Sequence, residues 1–177
     1  MKRIFTAIAL LVISTGVFAQ VNNNITRSKI SFEIKNLGIK TGGTISGVQG
    51  SIAFDPNKLA TNKIEAIADA NTINTDNSMR DEHLKNEDYF NADTYPKITL
   101  SSVSFKKKSS ENYTGQFNIT IKGKTKLVDV PFTYSDLNNG GLFKGSFKIN
   151  RKDFGVGGGS MTMGDEVTIN FEAEATK

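Results

Sequence analysis

The sequence predicts an all-β protein of about eight antiparallel strands with one short helical insertion. Short segments of alternating apolar and polar residues fill most of the chain, as where Ile30, Phe32 and Ile34 alternate with polar neighbours. Turn signals such as Asn138-Asn139-Gly140-Gly141 separate these segments. The alternation stops only between residues 72 and 98, which therefore form the insertion.

The first nineteen residues have the composition of a secretory signal peptide. Lys2 and Arg3 precede an apolar run at positions 4–12, and small residues lead to Ala19. The alternative is a membrane anchor, but the run is short for a span. We expect cleavage after Ala19, which removes two of the charges behind the formal net charge of +4.

Residues 20–177 then form a single domain, which contains no cysteine. An exported domain without disulfides depends on burial alone for its stability, which suits a bacterial periplasm. The expected location is therefore periplasmic. The weak positive charge gives little reason to expect nucleic-acid binding, because the Lys106-Lys107-Lys108 run lacks interleaved aromatic residues.

Each expected strand is bounded by a turn or by glycine. The glycine-rich stretch at 39–56 is typical of a bulge or a sharp bend. The strand segments lie at residues 28–36, 39–56, 63–71, 97–105, 113–122, 127–132, 142–151 and 166–174.

The insertion has the pattern of a lid. Asn77 or Ser78 can cap a helix that runs to Leu84, and Tyr89-Phe90 follows as a second apolar patch. Tyr95-Pro96 ends the insertion because a residue before proline favours extended geometry. Its apolar side must pack on the strands, so we expect it to cover one end of the β structure.

Antiparallel strands of this number form either a sandwich or a closed barrel, and only closure removes the edges. An eight-stranded barrel holds packed side chains or one small ligand. Small residues on the strands favour the cavity over the solid core, because they leave volume unfilled: Gly43, Gly47, Ala66, Ala68 and Gly145.

Catalytic and metal-binding patterns are weak. One histidine and no cysteine make a zinc site improbable, and no G-x-S-x-G motif presents a serine to His83. We predict no enzyme activity, no metal and no cofactor other than a bound lipid. Charged residues beside apolar ones either fasten the lid and a loop or anchor a polar head group: Arg80, Asp81, His83, Arg151 and Asp153.

An ordered set of motifs resembles the YceI-like family. Arg80-Asp81-Glu82-His83-Leu84 is followed by Asp88-Tyr89-Phe90 and Tyr95-Pro96-Lys97-Ile98. Asn150-Arg151-Lys152-Asp153-Phe154-Gly155 and Gly164-Asp165-Glu166-Val167 come later, in the order of that family. The resemblance runs from about Ser28 to Ala173.

The resemblance implies an extended, lipocalin-like antiparallel barrel that is exported to the periplasm. It also implies a long isoprenoid or similar amphiphilic lipid in an elongated apolar interior, and often a homodimer. Transient contact with a membrane is a further expectation. The expected function is therefore a periplasmic lipid carrier. The glycine-rich loop at Gly157-Gly158-Gly159 departs from the family pattern at the barrel mouth.

The expected ligand-contacting residues are the apolar residues of the strands and of the lid. They are Phe32, Ile34, Phe54, Met79, Leu84, Tyr89, Phe90, Ile98, Leu100, Phe117, Ile119, Phe132, Phe147, Ile149, Phe154, Met161, Met163 and Phe171. Two alternatives remain at this point. One is a packed barrel that acts as a stress-related interaction module, and the other is an enzyme built on a barrel scaffold.

Overall fold

The structure is a computed structural model that describes residues 24–176, so the expected signal peptide lies outside the described residues. One nine-stranded antiparallel sheet contains all the strands. They are β1 (Ile25–Asn36), β2 (Ile39–Ile45), β3 (Gln49–Ala53), β4 (Lys63–Asp69), β5 (Lys97–Lys107), β6 (Asn112–Ile121), β7 (Lys124–Leu137), β8 (Gly140–Asn150) and β9 (Met163–Thr176). Helix α1 spans Ser78–Lys85.

The expected count of eight strands is wrong by one, because the glycine-rich stretch forms two strands. Gly47 has a φ of +69° and lies at the bend between β2 and β3. β2 pairs with β1, whereas β3 pairs with β4. The strand order is β2-β1-β9-β8-β7-β6-β5-β4-β3, so the two edge strands are consecutive in the chain.

The sheet curls toward a barrel, and each of its two edge strands bonds a neighbouring segment of the chain. At one end, Asn24 N donates to Gly50 O at 3.0 Å, and the Asn24 side chain bonds both Ile52 N and Ile52 O. At the other end, Thr44 and Asn74 form an isolated antiparallel bridge with hydrogen bonds of 2.8 and 3.0 Å. These contacts satisfy backbone groups that edge strands would otherwise present to solvent.

A bulge in β5 changes which residues face inward. The register shifts between Ser102 and Ser104, so Val103 points outward and is 54% exposed. Phe105 is buried opposite Gly115 although strict alternation from Leu100 would place it outside. The bulge therefore adds an aromatic ring to the interior.

The aromatic end of the barrel is filled by six rings, which pack edge to face or tilted except for the stacked pair Tyr113 and Phe132. Phe54 lies at the centre, with ring centroids 4.9–5.7 Å from the other five. The surrounding rings are Phe105, Tyr113, Phe132, Tyr134 and Phe143. We call this group the aromatic plug, and it closes the interior at the end opposite the lid.

The lid segment, residues 77–95, covers the other end. Asn77 caps α1 as predicted, because its side chain accepts from Arg80 N at 3.0 Å. The helix itself buries no residue, and the chain after it brings Tyr89 and Phe90 against the core. Within residues 24–176, no helix is long and apolar enough to cross a membrane.

Candidate functional site: an apolar cavity under the lid

An internal cavity of about 270 Å³ lies between the aromatic plug and the lid segment. Inward residues of the neighbouring strands β1 and β9 lie side by side in its wall, since the register aligns Phe32 with Ile169 and Ile34 with Val167. Its wall is almost wholly hydrocarbon. A space of this kind excludes water and favours an apolar ligand.

Fifteen of the eighteen expected ligand-contacting residues line this cavity. They are Phe32, Ile34, Leu84, Tyr89, Phe90, Ile98, Leu100, Phe117, Ile119, Phe132, Phe147, Ile149, Phe154, Met163 and Phe171. The strand alternation placed the inward face correctly on every one of these strands. Their role in binding a ligand stays a prediction.

Three expected wall residues lie elsewhere. Met79 is 81% exposed on the outer side of α1, and Met161 is fully exposed in the loop before β9. Phe54 is the central ring of the aromatic plug and contributes nothing to the cavity wall. Neither methionine belongs to a predicted strand whose alternation would fix the direction of its side chain.

The same strand alternation also predicts four residues of the cavity wall that are not among the expected ligand-contacting residues. Ile30 and Ile169 lie on the same inward faces as Phe32 and Phe171. Ile64 and Val130 are buried and face the same space from β4 and β7. The period-2 pattern was a sufficient signal for all four.

The small residues act in two different ways. Ala66 and Ala68 of β4 line the cavity as expected. At Gly145, however, a Cβ atom would lie 2.6 Å from the Phe171 ring, and at Gly43 it would lie 3.0 Å from the Phe32 ring. The prediction that these two glycines leave free volume is therefore wrong, because neighbouring backbone carbonyls (Pro131 O at Gly145 and Asn74 O at Gly43) and aromatic rings occupy the space.

Arg151 is the buried cation at the lid end of the cavity, and its side chain is 4% exposed. Its Nε donates to Gly164 O at 2.9 Å, and Nη1 donates to Val156 O at 2.9 Å and Gly158 O at 3.0 Å. Nη2 donates to Asp165 at 3.1 Å. These bonds hold the loop between the 3₁₀ turn Arg151–Phe154 and β9.

Asp165 also forms an ion pair with a second residue of the 3₁₀ turn, Lys152. Lys152 Nζ lies 2.8 Å from Asp165 Oδ2. The hydrogen bond from Lys152, assisted by the charges of Lys152 and Arg151, lowers the pKa of the Asp165 carboxyl below its usual value. Asp153 is exposed and does not line the cavity. Thus Arg151 fastens the loop, while nothing in the structure brings Asp153 to the cavity.

Arg80 and Asp81 fasten the lid segment to the chain that precedes it. The Asp81 carboxylate accepts from both the backbone N–H and the hydroxyl of buried Thr75. Arg80 Nε donates to the Thr75 hydroxyl at 2.8 Å, and Nη2 donates to the Thr75 carbonyl. The interpretation that Arg80 and Asp81 fasten the lid therefore accounts for both side chains.

His83 packs locally in the lid segment. Its ring meets that of Tyr89 edge to face, with centroids 4.8 Å apart, and the side chain is exposed. Tyr89 in turn lines the cavity. Among residues 24–176, no group of three or more His, Cys, Asp or Glu side chains is placed to hold a metal ion.

Comparisons with known proteins agree with this architecture. UPF0312 protein YE1254 of Yersinia enterocolitica is 31% identical over 134 residues, which cover 72% of this chain and 69% of that protein. Among solved structures, Burkholderia cenocepacia BcnA is 30% identical with a TM-score of 0.80, over 84% of this chain and 96% of that one. The Campylobacter jejuni YCEI protein is 26% identical with a TM-score of 0.69, over 76% and 84% of the two chains.

A more distant structure shares only the fold. The polyisoprenoid binding domain from Saccharophagus degradans is 13% identical with a TM-score of 0.67, over 89% of this chain and 97% of that one. The sequence model of the YceI-like domain matches residues 21–175, almost the whole of the described chain. The chain therefore belongs to the YceI-like family.

Proposed function

We propose that this protein is an exported carrier that holds a long isoprenoid or other amphiphilic lipid in its barrel. The observation that carries the proposal is the apolar cavity of about 270 Å³ between the aromatic plug and the lid segment. The polyisoprenoid binding domain of Saccharophagus degradans, which shares the fold, supports the same class of ligand.

The physical driving force favours a long chain. Each methylene group removed from water contributes roughly 0.8 kcal/mol, so about ten groups contribute roughly 8 kcal/mol. Association costs about 4–15 kcal/mol, which is comparable with that gain. About twenty groups contribute roughly 16 kcal/mol, which exceeds this range. A short fatty chain is therefore a poorer ligand than a polyprenyl chain.

The cavity volume lies just below the roughly 300–1,000 Å³ of ordinary ligand pockets. A long chain therefore needs wall side chains to change rotamer or needs part of the lipid to stay at the mouth. Met163 suits this requirement, because its side chain is unbranched and flexible and lies at the lid end. The polar head of the lipid would then remain near the lid.

The packed interaction module is the second candidate, and the aromatic plug is the observation that favours it. Six rings already fill one end of the barrel without a ligand. Chemistry on the barrel is the weaker alternative, since His83 is exposed and the cavity-lining Arg151 bonds backbone carbonyls and Asp165. The homodimer remains a prediction.

The test is extraction of the protein after export in a bacterial host and purification without detergent. Organic solvent releases any bound lipid, and mass spectrometry identifies it and measures its amount per chain. The proposal predicts a near-stoichiometric long-chain lipid. A protein free of lipid that also takes up none from an offered isoprenoid series would support the packed module instead.

A further inference from the structure

Three large apolar side chains are exposed together on two adjacent loops at the lid end of the barrel, apart from Met79 of the lid helix. Leu37 is 73% exposed, Ile39 is 72% exposed, and Met161 is fully exposed. Leu37 and Ile39 belong to the β1–β2 hairpin, whereas Met161 lies in the loop before β9. Leu37 N donates to Thr162 O at 2.8 Å, which holds the two loops together. We call Leu37, Ile39 and Met161 the apolar tip.

The conformation of Leu37 is unfavourable for a leucine. Leu37 and Gly38 form a two-residue hairpin turn with φ values of +51° and +78°. Such a turn favours asparagine at its first position, and a branched aliphatic side chain resists the left-handed region. Leu37 also buries little of its surface within the fold. Folding stability therefore gives no reason for a leucine here.

The apolar tip adjoins the cavity. Ile34 of β1 and Met163 of β9 both line the cavity, and each lies within three residues of a tip residue. Asn36 pairs directly with Met163 at the base of the hairpin. Whatever surface receives the tip is therefore brought to the lid end, where a lipid would enter or leave.

The charges beside the tip are mainly positive. Lys35 and Lys40 are both exposed on the hairpin. Lys40 Nζ lies 3.1 Å from Glu33, while Lys35 takes part in no ion pair identified within residues 24–176. Lysines next to exposed aliphatic groups are typical of a segment that enters the head-group region of an anionic lipid surface.

We propose that the apolar tip inserts into an anionic lipid surface and so places the cavity mouth against the membrane. The inference rests on the proposed function, since docking serves the exchange of a lipid. A lipid surface fits better than a protein partner because three side chains on a hairpin and a loop offer far less than the roughly 800 Å² that a stable protein interface buries per partner. A fluid surface adapts to such a small projection.

The experiment measures co-flotation of the mature protein with vesicles of phosphatidylethanolamine and phosphatidylglycerol. The triple variant Leu37→Asn, Ile39→Thr, Met161→Gln should partition about tenfold less than the wild type, because it removes all the inserted apolar surface. The matched control is Val103→Thr with Leu127→Thr, which removes two exposed apolar residues from other strands. The control should partition within about twofold of the wild type.

Leu37→Asn alone separates docking from folding. It creates the favoured asparagine–glycine turn, so its melting temperature should equal or exceed that of the wild type while flotation falls. Absence of wild-type flotation, or an equal loss in the control, would overturn the proposal. So would a change of oligomeric state in the triple variant, which would make the tip an interface between copies.

The same samples are extracted for lipid. A protein that docks but carries no lipid contradicts the proposed function and leaves the docking surface standing. A protein that carries lipid without binding vesicles contradicts the docking surface alone.

Discussion

Lys122 Nζ lies 2.6 Å from the carbonyl oxygen of Glu87 and so ties the β6–β7 hairpin to the lid segment. The same ammonium donates to Gly155 O at 2.9 Å. Asp88 O also accepts from Gly157 N at 2.8 Å. One side chain therefore holds two of the segments that surround the lid end of the cavity. Under the proposed carrier function, this side chain should influence how fast a lipid enters and leaves.

Lys122→Met should speed the exchange of bound lipid several-fold. Methionine is unbranched and reaches nearly as far as the Cε atom of lysine, and neither residue is better suited than the other to the φ of +50° at position 122, so the substitution removes mainly the ammonium. Two lid-end carbonyls then lose a charged donor, which weakens closure without altering the cavity wall. Stopped-flow transfer of a fluorescent isoprenoid to acceptor vesicles measures the rate.

The control for that experiment is Lys126→Met, which removes an exposed lysine of β7. It should leave the transfer rate unchanged. Equal rates in Lys122→Met and the wild type would show that opening of the lid segment does not limit exchange.

Arg151→Met should destabilise the fold by about 3 kcal/mol, because four hydrogen bonds are lost and the carbonyl of buried Val156 is left without its donor. Chemical unfolding in urea measures the change in the free energy of unfolding. Arg80→Met is a useful comparison, since Arg80 is exposed and also bonds a backbone carbonyl. A loss at Arg151 no larger than at Arg80 would contradict the buried role assigned to Arg151.

Asp165→Asn should lower the thermal stability at neutral pH and have no effect in strong acid. The pKa of Asp165 is lower in the folded protein than its ordinary value of 3.8, chiefly because of the hydrogen bond from Lys152. The stabilisation by the carboxylate is therefore complete above pH 3.8 and is lost as the pH falls through the folded pKa. Melting temperatures of both proteins between pH 2 and pH 7 test this.

The difference in melting temperature between the wild type and Asp165→Asn should shrink only as the pH falls into the acid range. A constant difference across the whole range would mean that the asparagine acts through packing and that the Asp165 charge is unimportant. Exposure of Asp165 to solvent keeps the expected effect small.

The strand pattern predicted the inward faces well because period 2 is a local property of the sequence. It could not predict the β5 bulge at Val103, since a bulge depends on how two strands pair. The division of the glycine-rich stretch at Gly47 likewise depends on β2 and β3 pairing with different neighbours. These features are tertiary, and no single segment contains them.

The candidate site shows the same difference between features set by the local sequence and features set by the fold. Phe32 and Ile34 were predictable from alternation, whereas Met79 and Met161 were assigned by side-chain chemistry and proved to be exposed. Arg151 was recognised as important, but its bonds reach Gly164 and Asp165 across a loop. Only the folded structure shows that the guanidinium holds this loop in place through hydrogen bonds.

The most direct measurement for the lipid-carrier account is the lipid content and the melting temperature of Ala68→Leu. Ala68 faces the cavity from β4, and the added side chain would enter the space assigned to the ligand. Ile67→Phe adds bulk to the outer face of the same strand as a control. We predict that Ala68→Leu loses its bound lipid yet keeps or gains thermal stability without ligand, because it fills empty volume. Full lipid content with a stability loss of about 1–3 kcal/mol, as expected for an overpacked core, would contradict the account.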